Sequence, residues 1–202
     1  MALLFDLDGT LIDSEDAHKA AEVETFRSLG YNFTQDQLLG FTGVPYRAML
    51  AQIAPDLSLD TFFAAHKERL LALVGTRIVP FSDVEDCLAR VSADASMIVT
   101  SSPRWYVQKV LDTFPIFRSV FQGFICADDV KNGKPDPEAF IAGAAALGLS
   151  PSECTAIEDS TNGIASAKAA GCYTIAVRRD PRLDLSQADA VVSSLAELVD
   201  VA

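Results

Sequence analysis

Ala2-Leu3-Leu4-Phe5-Asp6-Leu7-Asp8-Gly9-Thr10-Leu11 decides the fold, because a short apolar run of strand length passes directly into two carboxylates and a glycine. A buried parallel strand has this continuous apolar form. Open α/β sheets bind their ligands just beyond the carboxyl ends of their strands. The pattern therefore predicts that Asp6 and Asp8 lie at the mouth of a site. On these residues alone, the alternative is a solvated Asp-Gly turn that closes an ordinary strand.

The composition limits the class of protein. The chain has 202 residues, half of them hydrophobic, and a formal net charge of -12, which is enough for a sizeable core in one domain with or without a smaller insertion. A nucleic-acid partner is not expected, because phosphate backbones need clustered Lys and Arg. The amino terminus has no basic leader, and no apolar run approaches the roughly 18 residues of a membrane span. We expect a soluble, cytoplasmic protein with no membrane partner and favour a monomer.

The four cysteines are widely spaced and form no Cys-x-x-Cys pair. This spacing argues against a zinc site and against a disulfide framework. We expect the cysteines to be small core residues in a reducing compartment.

The periodicity of the chain changes once, at about Arg77. Residues 14–77 show helical spacing only, with helix starts at Ser14, at the capping box beginning at Thr34, and at Pro45. From Arg77 onward, short apolar runs of strand length alternate with helical segments, the first of which begins at a second capping box, Ser82–Glu85. Such alternation implies right-handed crossovers and a parallel sheet. The predicted fold class is α/β: a Rossmann-like parallel sheet with helices on both faces, formed by residues 1–13 and 78–202, with an all-helical insertion at 14–77.

Polar residues follow the ends of several predicted strands in this α/β part. The carboxyl ends of parallel strands share one edge of a sheet, so these groups can converge there. Four carboxylates in one pocket cannot all stay ionised without a cation, and Mg2+ fits both that demand and a phosphate. The residues concerned are Asp6 and Asp8, Thr100-Ser101-Ser102, Glu158-Asp159, and Lys134 in a loop.

Each of these groups has a plainer interpretation. Lys134 could be a solvated loop residue. Thr100 and Ser101 could cap the helix that begins at Pro103, which is compatible with a role in a site. Glu158 and Asp159 could complement the dipole of the following helix.

Taken together and in order, four motifs resemble those of the haloacid dehalogenase superfamily. The helical insertion after the first motif is similar to the cap of its phosphatase and β-phosphoglucomutase branch. The motifs are Asp-x-Asp-Gly-Thr at 6–10, the strand end at Thr100, Lys134 in Gly-Lys-Pro-Asp-Pro, and Glu158-Asp159-Ser160 followed by Gly163 and Ala170-Gly171.

The resemblance implies a role for each motif residue. Asp6 would be the nucleophile that forms an aspartyl-phosphate, and Asp8 the general acid and base. The side chain of Asp6, the backbone carbonyl of Asp8, and the carboxylates of Glu158 and Asp159 would hold Mg2+.

The remaining motif residues would hold the phosphoryl group. Thr100, the backbone of Ser101, and Lys134 would contact its oxygens, because catalysis of phosphoryl transfer consists mostly of positioning and charge neutralisation.

Residues of the insertion are candidates for substrate contact. Mutases of this branch carry a histidine where His18 stands, and an exposed helical histidine is the alternative. Gly43 and Arg47 belong to the segment that is expected to determine substrate specificity. Tyr46 and Lys67 could contact substrate or be surface residues. His66 lies on the apolar stripe of a predicted helix, and this position predicts that it packs in the core.

Within the superfamily, two features narrow the reaction. Dehalogenases do not use a second aspartate where Asp8 stands. The mutase pattern expects a Ser-Arg pair after Gly43, whereas this chain has Val44-Pro45-Tyr46-Arg47. The prediction is a Mg2+-dependent phosphatase of small phosphorylated metabolites, most of all sugar phosphates. The alternatives are a β-phosphoglucomutase-like mutase and, in another class, a non-catalytic binding protein on the same fold.

Overall fold

The computed structural model describes residues 2–41, 44, 46–91 and 95–200, with the side chains of residues 199 and 200 outside the description. The chain forms two compact units, one made of residues 1–13 and 80–202 and the other of residues 14–79.

The first unit is built on a six-stranded parallel sheet, as the alternating pattern predicts. The strands of the chain are β1 Ala2–Phe5, β2 Ile12–Asp13, β3 Val79–Pro80, β4 Ser96–Val99, β5 Phe124–Ile125, β6 Cys154–Glu158, β7 Tyr173–Val177 and β8 Ala190–Val192. The strand order in the sheet is β5-β4-β1-β6-β7-β8, so the strand that opens the chain lies in the middle. Its two neighbours, β4 and β6, are the strands that carry the other polar ends.

Helices cover both faces of this sheet. The helices are α1 Glu15–Ser28, α2 Gln35–Leu39, α3 Tyr46–Ile53, α4 Leu59–Leu73, α5 Val84–Leu88, α6 Arg104–Thr113, α7 Pro115–Val120, α8 Glu138–Ala146 and α9 Thr161–Ala170, with short 3-10 helices at Ala127–Asp129, Pro151–Glu153 and Leu195–Asp200. On one face, Leu4 packs with residues of α8 and α9 such as Phe140 and Ala167. On the other face, Leu3 lies near Cys87 of α5 and Leu198 of the last 3-10 helix.

The second unit consists mainly of α1, α2, α3 and α4 around an aromatic core. Phe26 and Phe62 are fully buried, with ring centroids 5.1 Å apart. Thr34 forms the predicted capping box with Gln37. His66 is fully buried and stacks on Phe62, which confirms its predicted packing role.

The predicted helix starts are confirmed in part. Ser14 is the N-cap residue of α1, as predicted, but its side chain makes no capping hydrogen bond to that helix. Asp83, not Ser82, precedes α5, and its carboxylate does not cap that helix. The helix predicted to begin at Pro103 is α6, which has Pro103 as its N-cap and Phe114 as its C-cap, and a short helix that the pattern does not predict, α7, follows from Pro115. The predicted helix start at Pro45 lies outside the described residues.

The cysteines match their expected role as small core residues. Cys87, Cys126, Cys154 and Cys172 are all buried free thiols. Burial raises the pKa of Cys87 to about 11 and that of Cys172 to about 12, so these thiols stay protonated near neutral pH.

Among the described residues, no helix combines the length and the apolar character that a membrane span requires.

Candidate active site

The site lies at the carboxyl ends of β1, β4 and β6, which are neighbours in the sheet. Asp6 directly follows β1, and its N–H donates to the carbonyl of Ile157 in β6 at 2.9 Å. Thr100 directly follows β4, and its N–H donates to the carbonyl of Ile125 at 2.9 Å. The sheet therefore places the ends of three motif strands side by side.

Lys134 contacts all three of these strand ends. Its ammonium lies 2.6 Å from Asp6 Oδ1 and 2.7 Å from Glu158 Oε1, and it donates to the carbonyl of Val99 at 2.9 Å. The ammonium also lies 4.9 Å from the ring centroid of Phe140, within the range of a cation–π contact. Burial alone would lower the pKa of Lys134, but the two carboxylates outweigh it and raise that pKa. Lys134 is thus a buried, charged residue of the site and not a solvated loop lysine.

A third carboxylate, that of Asp159, lies beside the two that contact this lysine. Oxygens of Asp6, Glu158 and Asp159 lie within 4.8 Å of one another. Burial raises the pKa of Asp6 well above its ordinary range, Glu158 and Asp159 raise it further, and Lys134 opposes them. Burial and the charge of Glu158 likewise raise the pKa of Asp159. Because the donors are all oxygen and the charge is unfavourable without a counter-ion, the set fits a hard divalent cation such as Mg2+.

Glu158 is fixed at both of its oxygens. Oε1 accepts from Lys134, while Oε2 accepts from the N–H of Asp159, the N–H of Ser160 and the hydroxyl of Ser160, each at 3.0 Å. The Ser160 hydroxyl also caps α9 by accepting from the N–H of Gly163 at 3.0 Å. A Cβ atom on Gly163 would lie 1.7 Å from Glu158 Oε1, so only glycine leaves room for the carboxylate at this position.

The loop after Asp8 supports Asp159. The φ of Gly9 is +81°, a left-handed conformation that glycine adopts without strain. A Cβ atom there would also lie 2.2 Å from Asp159 Oδ2. The hydroxyl of Thr10 donates to Asp159 Oδ1 at 2.9 Å. Gly9 thus lets the loop turn and approach Asp159 closely enough for Thr10 to hold it.

Asp8 accepts hydrogen bonds at both carboxylate oxygens. The hydroxyl of Tyr106 donates to Oδ1 at 2.9 Å, and that of Ser102 donates to Oδ2 at 2.6 Å. Ser102 follows β4, and Tyr106 lies in the first turn of α6. The segment that follows β4, the neighbour of β1 in the sheet, therefore supplies both donors to Asp8.

Thr100 and Ser101 differ in their surroundings. Thr100 is buried, and its hydroxyl accepts from the N–H of Ser102 at 3.0 Å. Ser101 is exposed at the end of β4. Neither caps α6, whose N-cap residue is Pro103. Both lie beside Val99, whose carbonyl contacts Lys134.

Two further residues brace the loop after β1 from the outside. The guanidinium of Arg179 donates to both oxygens of Asp83, at 2.8 and 2.9 Å, and to the carbonyl of Thr10 at 3.1 Å. Asp83 also accepts from the Ser194 hydroxyl and the Leu195 N–H. Burial acts to raise the pKa of Asp83, but these donors outweigh it and lower that pKa. This use of the carboxylate explains why Asp83 does not cap α5.

The candidate residues of the helical unit are described within that unit. His18 is half-buried in α1, and Arg47 is exposed in α3. The hydroxyl of Tyr46 donates to Glu22 at 3.0 Å and lies 3.4 Å from His66 Nε2. Gly43 lies outside the described residues.

Ser102 stands among the polar residues predicted at the strand ends, whereas the sequence assigns no supporting role to Thr10, Tyr106 or Arg179. Thr10 and Ser102 are hydroxyl residues within the first two motifs. Tyr106 lies four residues before Val110, a helical spacing that is typical of a core residue, so its hydroxyl is the one available signal. Nothing local marks Arg179, whose partners are distant in sequence.

Comparison with known proteins identifies the family. The model of the haloacid dehalogenase-like hydrolases matches residues 3–177. The chain is 31% identical to validoxylamine A 7'-phosphate phosphatase of Streptomyces hygroscopicus subsp. limoneus, over 96% of this chain and 94% of that protein. It is also 31% identical to hexitol phosphatase B of Escherichia coli K12, over 98% and 94% respectively.

A solved structure shows the same architecture. CbbY from Rhodobacter sphaeroides, crystallised with phosphate, superposes with a TM-score of 0.85 at 26% identity and covers 98% of this chain and 96% of its own. The chain therefore belongs to the haloacid dehalogenase-like hydrolase family, as its motifs predict, and within it to the phosphatases.

Proposed function

We propose that this phosphatase hydrolyses a phosphorylated sugar or sugar alcohol in a Mg2+-dependent reaction that passes through an aspartyl-phosphate on Asp6. The observation that carries the proposal is the buried cluster at the sheet edge, where Lys134 lies 2.6 Å from Asp6 and 2.7 Å from Glu158. The names of two relatives, a hexitol phosphatase and a phosphatase of validoxylamine A 7'-phosphate, support the substrate class.

Asp6 is proposed as the nucleophile. Its carboxylate attacks phosphorus in line, and the bond from phosphorus to the bridging oxygen breaks. Lys134 holds Oδ1 of this carboxylate at 2.6 Å and so restricts its orientation. The lysine also offsets the carboxylate charge that would otherwise repel an incoming phosphate.

Asp8 is proposed to move protons in both half-reactions. It gives a proton to the bridging oxygen as the alcohol leaves, and it takes a proton from the water that later attacks phosphorus. The second step releases inorganic phosphate and restores the Asp6 carboxylate.

Thr100, the backbone N–H of Ser101 and Lys134 are proposed to hold the phosphoryl oxygens. Mg2+, held by the side chain of Asp6, the carbonyl of Asp8, Glu158 and Asp159, would neutralise charge on the phosphoryl group and on the carboxylate cluster. Asp159, which Thr10 supports, and Glu158, which the start of α9 supports, offer oxygen ligands.

We also propose that the helical unit is a cap domain, with the division into core 1–13 and 78–202 and cap 14–77 that the sequence predicts. A cap excludes bulk water from the intermediate and selects the leaving group. His18, Gly43 and Arg47 are the proposed substrate contacts.

The test is release of inorganic phosphate from a panel of hexitol phosphates, sugar phosphates, nucleotides and phosphoglycolate, with Mg2+ and with a chelator. An assay of β-glucose 1-phosphate isomerisation runs in parallel. Metal-dependent release from the sugar or hexitol compounds is the expected result. Isomerisation without net release of phosphate would identify a mutase. No activity in either assay would support a non-catalytic binding protein.

Asp6→Asn and Asp112→Asn form a matched pair for this assay. Asp112 is exposed in α6, where its partners Gln108 and Arg118 are also on the surface. We expect Asp6→Asn to abolish release and Asp112→Asn to leave it unchanged. Retention of most activity by Asp6→Asn would remove Asp6 as the nucleophile.

A further inference from the structure

The carboxylate of Asp8 is held by two hydroxyl groups of the catalytic unit, one on each oxygen. Tyr106 donates to Oδ1 at 2.9 Å, and Ser102 donates to Oδ2 at 2.6 Å. Two donors on opposite oxygens restrict rotation of a carboxylate about its last bond, because any rotation lengthens at least one of the two hydrogen bonds.

Tyr106 is fully buried, yet its hydroxyl lies against a functional carboxylate. Phenylalanine would supply the same ring to the core, so packing alone does not account for the hydroxyl. A buried tyrosine hydroxyl needs a partner, and the charged partner at this site is the proposed proton donor of the reaction.

The segment that carries both donors is itself anchored. The carbonyl of Ser102 accepts from the N–H of Ala127 at 3.1 Å, and the N–H of Arg104 donates to Asp128 at 2.7 Å. The guanidinium of Arg104 also pairs with Asp129. The turn at 127–129 therefore fixes the start of α6, and with it the positions of Ser102 and Tyr106.

We propose that Tyr106, together with Ser102, is a positioning residue that aims the carboxyl of Asp8 at the bridging oxygen of the substrate. This inference rests on the proposed function, since it assumes that Asp8 transfers a proton to the leaving group. Tyr106 donates a hydrogen bond to Asp8 throughout and exchanges no proton with the substrate.

Proton transfer to the leaving group matters only when that group is a poor one. An alcohol leaves phosphorus slowly unless it is protonated, whereas the nitrophenol of p-nitrophenyl phosphate leaves readily as an anion. If Asp8 is no longer correctly oriented, phosphoryl transfer from an alkyl phosphate therefore becomes slower, whereas phosphoryl transfer from p-nitrophenyl phosphate keeps its rate. A purely structural defect lowers both rates together.

The experiment compares kcat/KM for these two substrates, because this parameter covers binding and the first phosphoryl transfer. For Tyr106→Phe we expect kcat/KM for the alkyl phosphate to fall by about 10- to 100-fold. This is part of the rate enhancement of roughly 100- to 10,000-fold that general acid catalysis contributes. For p-nitrophenyl phosphate we expect a change of less than about threefold. The alkyl substrate is the sugar or hexitol phosphate that the wild-type protein hydrolyses fastest.

Three further variants complete the test. Ser102→Ala removes the second donor and is expected to show the same selective fall in kcat/KM for the alkyl phosphate. Ser102→Thr keeps the hydroxyl and is expected to restore that kcat/KM. Tyr173→Phe is the matched control, since Tyr173 is 42% exposed in β7.

An equal fall for both substrates, or no fall for either, would overturn the inference while leaving the phosphatase assignment in place. If the wild-type protein and Tyr173→Phe release no phosphate from either substrate, the proposed function itself fails. The two failures are therefore distinguishable.

Discussion

Replacing Gly163 with alanine is expected to disturb the site through a single added methyl group. The new Cβ atom would lie 1.7 Å from Glu158 Oε1, 1.9 Å from Cδ and 2.2 Å from Oε2. A side-chain end can often move away at little cost, but four hydrogen bonds hold this carboxylate, one from Lys134 and three from the start of α9. The methyl group therefore displaces Glu158 from Lys134 or pushes α9 away.

The cost follows from the contacts that are lost. Disrupting a buried ion pair costs about 3–5 kcal/mol. Alanine returns about 1 kcal/mol, because it is the better helix former. The expected loss is about 2–4 kcal/mol of unfolding free energy, which in a chain of this size lowers Tm by roughly 4–16 °C. Because Lys134 also positions Asp6, a shift of about 1 Å is expected to lower kcat/KM by about 100-fold.

Thermal unfolding and phosphate release measure these two effects on one sample. Gly123→Ala is the matched control, because a Cβ atom there meets Met97 Sδ at 3.7 Å, an ordinary contact. That variant is expected to stay within about 0.5 kcal/mol of the wild type. If Gly163→Ala keeps the Tm and the activity of the wild type, then Glu158 is not held in the described position and its role as a fixed partner of Lys134 is wrong.

Three other predictions concern pH, a buried ion pair and metal binding. Burial, followed by the charge of His18, lowers the pKa of His66 from 6.5 to about 3. Below pH 6.5 the imidazole of His66 therefore binds a proton in the unfolded chain but not in the native state. The stability that is present above pH 6.5 is consequently lost as the pH falls toward 3. Urea unfolding of the wild type should show a loss of about 2 kcal/mol near pH 5 that His66→Gln lacks, and equal pH dependence in both proteins would contradict this. Asp83→Ala leaves the guanidinium of Arg179 without its main partner and should cost about 3 kcal/mol in chemical unfolding; a loss below about 1 kcal/mol would show that the pair is solvated. Mg2+ should raise the Tm of chelator-treated protein, by an amount equivalent to about 2.7 kcal/mol at 100 times its Kd, and Asp159→Asn should reduce that rise; an unchanged rise in the variant would place the metal elsewhere.

The sequence predicts the sheet and the polar strand ends because both depend on local pattern. The apolar run at Ala2–Phe5 is too short for a helix and too hydrophobic for an exposed edge, so it can only be a buried strand. The parallel arrangement then places Asp6, Thr100 and Glu158 at one edge, since parallel strands point the same way.

The predictions fail where the partner of a side chain is distant in the sequence. The predicted capping box at Ser82–Glu85 is a local pattern, but Asp83 precedes α5 in its place, and Arg179, 96 positions away, binds the Asp83 carboxylate. Tyr106 has the spacing of a core residue and does occupy the core, while its hydroxyl reaches Asp8 across 98 positions. Local periodicity predicts which face of a helix is buried. It does not predict which residue accepts a hydrogen bond from the hydroxyl of a buried tyrosine.

The central claim is that Asp6 carries the phosphoryl group between the two half-reactions. Rapid-quench mixing of the protein, Mg2+ and a phosphate-labelled sugar or hexitol phosphate tests it directly, followed by mass spectrometry of the peptide that contains Asp6. We predict an acid-stable, hydroxylamine-sensitive label on Asp6 that forms before free phosphate appears, and no label on the Asp6→Asn variant. Release of phosphate at the full rate without any label on the protein, or a label that persists in Asp6→Asn, would contradict the account.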